Sequence, residues 1–141
     1  VSMTIPVRLF GGQNEVFVSQ IGQLVTAPFA YDNVVALTLE TDNTAVNFYK
    51  PRVDQQFVIT GILLTADSNV TGSALIDVYE ATTITDTVIK KSILHVEILK
   101  NGSRDITNLN ILVTAGCFVN AKTDDDDVFV TIMGYYIPLT G

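Results

Sequence analysis

The sequence predicts an all-β domain, an antiparallel jelly-roll-like β-sandwich of roughly eight to ten strands. Three observations carry that expectation. Apolar residues recur at every second position in five separate segments. Clusters of Asn, Asp, Gly and Ser fall between those segments at a spacing of about 8–14 residues, where turns belong. No segment keeps an i, i+3, i+4, i+7 apolar stripe free of β-branched residues, so no substantial helix is expected.

Residues 1–22 stand apart from the rest. Pro6, the pair Gly11-Gly12 and the polar run Gln13-Asn14-Glu15 interrupt short apolar pieces at 7–10 and 16–18. This segment reads as an arm that orders against a neighbour, or else as an edge strand; the arm is favoured. Its contact candidates are Val7, Leu9, Phe10 and Phe17. Residues 23–141 are expected to form one sandwich domain.

Within that domain Val35, Leu37 and Leu39 make the first stripe, and Phe57 and Ile59 join the expected core. Residues 73–81 place Ala74, Ile76 and Val78 on one face and Leu75, Asp77 and Tyr79 on the other. In residues 92–100, Leu94, Val96 and Ile98 alternate with His95, Glu97 and Leu99. Leu109, Ile111 and Val113 follow, then Val128, Val130 and Ile132 with Phe129, Thr131 and Met133 opposite. The Asn101-Gly102 pair supplies the two positive-φ residues of a type I′ turn. It predicts a hairpin joining the strand that ends at Leu99 to one that ends at Ala115.

Composition bounds the function. With 141 residues the chain fits one domain, large enough to bury a core without staples. Only 16% of residues are charged while 48% are hydrophobic, and charge is the anomalous figure. Uncharged Thr and Asn cover part of the surface, and several strands are apolar on both faces, as if buried against other chains. A net charge of −7 with eight scattered Lys and Arg argues against nucleic acid and against an anionic membrane surface. No apolar run reaches the roughly 20 residues that span a bilayer. The single Cys117 excludes an intrachain disulfide framework and reads as a small buried hydrophobe.

Candidate chemistry is sparse. Asp124, Asp125, Asp126 and Asp127 are contiguous carboxylates, and Asp124 and Asp126 are the candidates for a calcium ion. Adjacent residues of an extended chain point apart and no D-x-D-x-D-G loop is present, so the plainer reading is a solvated hairpin tip between strands 117–122 and 128–137. His95 alternates with apolar neighbours and reads as an outward polar position, and one His cannot build a typical zinc site. Glu40, Glu80 and Glu97 sit in separate segments, so nothing selects a pair of carboxyls for acid–base work. No nucleophile elbow, phosphate loop or zinc-protease motif occurs. No catalytic residue, cofactor or enzymatic activity is therefore expected. Tyr135 and Tyr136, with Phe48 and Tyr49 earlier in the chain, read as terminal-strand packing, as a subunit contact, or as a sugar-stacking platform.

Four stretches carry a resemblance: Phe57-Val58-Ile59-Thr60-Gly61-Ile62, Ile76-Asp77-Val78-Tyr79-Glu80, Ala115-Gly116-Cys117-Phe118-Val119, and Val128 through Tyr136. Together, over about residues 45–137, they resemble the decoration (cement) proteins and jelly-roll modules of tailed-bacteriophage heads and fibres. The likeness lies in overall texture and transfers no residue roles. It implies a homotrimeric virion structural protein, assembled in the host cytoplasm. On the capsid surface it would bind the major capsid protein or another virion protein and stabilise the assembled head. The alternative it leaves open is a receptor- or carbohydrate-binding domain of a head or tail fibre.

Overall fold

The computed structural model describes residues 33–39 and 43–139, and within them nine β-strands and no helix. Val7, Leu9, Phe10 and Phe17, the arm 1–22 and Glu40 lie outside the described residues. The strands are β1 (Asn33–Leu39), β2 (Val46–Tyr49), β3 (Gln55–Ala66), β4 (Ser73–Ala81) and β5 (Lys91–Leu99), then β6 (Ser103–Ile106), β7 (Ile111–Leu112), β8 (Phe118–Thr123) and β9 (Val128–Pro138). They form two antiparallel sheets: a larger one ordered β1-β9-β3-β6, with β7 also on β3, and a smaller one ordered β2-β8-β4-β5.

The pairing is nested. β4 pairs β5, β3 pairs β6 and β7, β2 pairs β8, and β1 pairs β9, so the chain is one long hairpin folded at residues 82–90. Rolling that hairpin up adds the β3–β9 and β4–β8 ladders and divides it between two sheets. With β6 and β7 taken as one interrupted strand this is an eight-stranded jelly roll, as the sequence predicts.

Nesting overturns two local expectations. The Asn101-Gly102 pair is not a hairpin tip: β5 pairs with β4, whereas β6 crosses to β3 in the other sheet. Only Asn101 of the pair adopts positive φ, at 60°, with Gly102 N–H donating to Leu99 O at 2.8 Å. One positive φ at the third position makes a type II-like turn, so Asn-Gly chemistry serves a crossover here. Likewise residues 124–127 join β8 in the smaller sheet to β9 in the larger, and do not cap a hairpin.

The core lies between the sheets. From the larger sheet come the rows Leu39–Val128–Ala66 and Val35–Ile132–Ile62, and from the smaller one Ile76, Val78 and Ala121. A register shift between Ile59 and Gly61 lets Phe57 and Ile59 face inward alongside Ile62 and Leu64, which strict alternation from Phe57 would turn out. Leu37, expected inside, is 36% exposed because it lies on edge strand β1.

Candidate functional site

The outer faces of the two sheets differ in chemistry. On the smaller sheet, Asp77 stands between His95 and Lys122, and Leu75 beside Glu97. Part of that face is roofed by the 82–90 connection. Tyr79 Oη donates to Asp86 O at 2.7 Å, Asn120 Nδ2 to Thr83 O at 2.9 Å, and Lys122 Nζ to Thr87 O at 2.8 Å. Tyr79 and Asn120 are thereby fully buried, and burial pushes the Tyr79 phenol up to about 12.

The outer face of the larger sheet is partly exposed and, among the described residues, carries no formal charge across β1, β9 and β3. Its rows follow from the register: Thr38–Phe129–Thr65, then Ala36–Thr131–Leu63, then Val34–Met133–Gly61. A fourth row, Tyr135–Val58–Leu112, extends onto β7, with Val58 buried between its neighbours. Val34 is 52% exposed, Phe129 44% and Leu112 47%. At the β6 rim Asp105 stands beside Leu63. An apolar centre with a polar margin is the anatomy of a protein contact, which makes this face the candidate contact surface.

A second feature lies at the open edge where β1 passes β2. Tyr49 reaches across from β2, its hydroxyl 2.5 Å from Ile132 O and 2.8 Å from Asn33 O, and its ring stacks on Phe57 at 3.8 Å. Burial holds the Tyr49 phenol well above its ordinary value. Tyr136 Oη donates to Lys50 O at 2.8 Å, and the Arg52 guanidinium lies 3.8 Å from its ring centre. Burial raises the Tyr136 phenol, and Arg52 opposes the rise. A groove of about 370 Å³ opens here, lined among others by Asn33, Asn47, Tyr49, Lys50 and Arg52.

No protein-family model and no curated protein matches the chain. Among solved structures, it is similar to the nucleoplasmin-like N-terminal domain of Drosophila FKBP39, with a TM-score of 0.45 and 12% identity over 83% of this chain and 99% of that one. It is also similar to a chain of the cyanophage Pam1 capsid asymmetric unit, with a TM-score of 0.37 and 17% identity over 92% of this chain and 100% of that one. These are likenesses of shape and assign no partner or activity.

The sequence-predicted candidates are not brought together. Tyr135 and Tyr136 point to opposite sides of β9: Tyr135 lies in the bare face, while Tyr136 packs toward Phe57 with ring centres 4.9 Å apart. The aspartate run serves the fold. Asp124 Oδ1 accepts from Leu75 N–H and Asp125 Oδ2 from Thr71 N–H, each at 2.9 Å, and Asp127 Oδ2 accepts from Asn69 Nδ2 at 2.6 Å. These bonds pin the β3–β4 connection, and among the described residues no group of three or more His, Cys, Asp or Glu is placed to hold a metal ion. His95 pairs with Asp77, Nδ1 to Oδ1 at 2.5 Å, with its side chain 60% exposed.

Cys117 is buried and is contacted by Lys90 Nζ at 3.6 Å, away from His95. Glu80 is buried and accepts from Thr114 N–H at 3.0 Å, while Glu97 accepts from Ser73 Oγ at the other end of the β4–β5 ladder. Sequence reasoning missed Arg52, whose contact with Tyr136 spans more than eighty residues and is announced by no local pattern. It singled out Tyr49 as an aromatic but not its hydroxyl contacts with Asn33 O and Ile132 O.

Proposed function

We infer that this chain is a virion structural protein, a capsid-decorating (cement) module that binds and stabilises an assembled phage head as a homotrimer. The observation that carries the reading is the partly exposed outer face of the larger sheet, charge-free among the described residues of β1, β9 and β3, opposite a smaller sheet that is polar and partly roofed by its own loop. Binding without catalysis is the expected mode: among the described residues Asp124, Asp125 and Glu80 accept from backbone amides, and the one side-chain pair of His with a carboxylate, His95–Asp77, lies on the exposed outer face of the smaller sheet. It would act at the capsid surface after assembly in the host cytoplasm, against the major capsid protein or another virion protein. Co-sedimentation with shells assembled from the major capsid protein of the same virion tests it. Binding to assembled shells and not to free capsid subunits is expected; no binding to shells contradicts the reading.

The groove beside Tyr49 and Arg52 favours a second reading, a receptor- or carbohydrate-binding domain of a head or tail fibre. A glycan-array signal that is lost on Arg52→Ala, with the fold intact, would support it.

A further inference from the structure

We propose that the groove between edge strands β1 and β2 takes a glycan that carries a carboxylate, with Lys50 and Arg52 holding its charge. The proposal rests on the second reading above, the groove as a carbohydrate site, and names the chemical class of the ligand.

Charge selects the ligand. The chain carries 15 acidic against 8 basic residues, yet among the described residues the groove is lined by two cations and no carboxylate. Asp54 follows in the same turn but does not line it. Among the described residues neither Lys50 nor Arg52 has an ion-pair partner. Two unneutralised cations in one concave site attract an anion. The Arg52 guanidinium is restrained over the Tyr136 ring, and its fork of N–H donors matches a planar carboxylate. The turn bearing both cations is itself pinned. Tyr136 Oη donates to Lys50 O, Gln55 N–H to Arg52 O at 3.3 Å, and Leu139 N–H to Asp54 O at 2.9 Å. A site ordered before binding gives up less freedom when the ligand arrives.

The rest of the lining suits a sugar. Asn33 and Asn47 bring carboxamides, which exchange hydrogen bonds with hydroxyls. Asn47 Nδ2 is spent on Tyr49 O and Asn120 Oδ1, and its Oδ1 remains to accept. Phe48 and Tyr49 are buried and Arg52 sits over the Tyr136 ring, so a neutral sugar finds little ring face to stack on. The carboxylate must therefore supply the selectivity. A volume of about 370 Å³ lies at the small end of ligand sites, which run from about 300 to 1,000 Å³, and suits a terminal sugar better than a length of peptide.

The test is binding of the whole chain to an array of neutral, sulfated and carboxylated glycans. Titration calorimetry follows, with the strongest ligand and with the same ligand after its carboxyl is reduced to the alcohol. Lys50→Gln and Arg52→Gln each remove one cation, and Lys100→Gln, an exposed cation in the β5–β6 turn, is the control. Far-UV circular dichroism checks the fold of each. The strongest signals should come from carboxylated glycans. Carboxyl reduction and each groove variant should weaken binding about tenfold or more, with Lys100→Gln unchanged. Lys50→Gln decides the matter if Arg52→Gln disturbs Tyr136, because only the backbone carbonyl of Lys50 holds that ring. Neutral or sulfated glycans that bind as well as carboxylated ones overturn the carboxylate and leave carbohydrate binding standing. So does an affinity unmoved by carboxyl reduction or by Lys50→Gln, or one lost equally in Lys100→Gln. An array without signal, whether or not a labelled oligoglutamate binds, overturns both.

Discussion

Met133 lies across Gly61 on the bare side of the larger sheet, so close that a Cβ on Gly61 would come within 2.8 Å of Met133 Cε. The obstacle is the tip of a flexible side chain, which can swing away. Gly61→Ala should therefore change monomer stability by no more than about 1 kcal/mol, since the gain of replacing a strand glycine offsets the displacement. It should lift Met133 off the sheet. Gly134 makes the contrasting case, because its added Cβ would strike the Val58 carbonyl oxygen on the neighbouring strand. Backbone cannot yield in the same way, and Gly134→Ala should cost about 3 kcal/mol or more. Urea unfolding of both variants checks the pair.

The Tyr49 hydroxyl closes the open edge of the sandwich against Ile132 O and Asn33 O. One phenolic proton serves one carbonyl at a time, so Tyr49→Phe removes one hydrogen bond and keeps the ring stacked on Phe57. The expected loss is about 1–2 kcal/mol, read as a lower urea midpoint at unchanged slope.

Alkaline pH should unfold the protein cooperatively. Tyr79 in the folded state is raised from its ordinary 10.0 to about 12 by burial. The unfolded chain therefore loses that proton first. The stabilisation is complete below pH 10 and declines as pH rises toward about 12. Tyr49 is shifted in the same direction by the same cause. Tyrosinate absorbance should rise in two stages, the second coinciding with loss of the circular dichroism signal, and Tyr79→Phe should reduce the slope. Full tyrosinate absorbance in a still-folded protein contradicts this.

The aspartate run should behave as a clasp. Asp125→Ala frees the Thr71 amide and Asp124→Ala frees that of Leu75. Each should cost about 0.5–1.5 kcal/mol. Amide hydrogen exchange gives the sharper reading, with Thr71 accelerating in the first variant and Leu75 in the second.

Legibility from sequence followed the range of the interaction. On β9 the period-two pattern separated Val128, Val130 and Ile132 from Phe129, Thr131 and Met133, and the structure places the first set in the core and the second on the bare face. Alternation is a local property of extended chain, so it survives whatever the strand pairs with. The pairing itself is global, and the nested roll sent Asn101-Gly102 and the aspartate run to crossovers where local turn chemistry favours hairpins equally well. The shift between Ile59 and Gly61 turned Ile62 and Leu64 inward, and no residue type marks a bulge without its partner strand. The uncharged outer face was half visible: an excess of uncharged strand positions appears in composition, but only register assembles Val34, Phe129 and Leu63 into one surface.

The mass of the native assembly tests the central claim most directly. Sedimentation equilibrium of the unmodified 15.3 kDa chain at micromolar concentration should return about three times that mass. A single species of 15.3 kDa across the concentration range would contradict it.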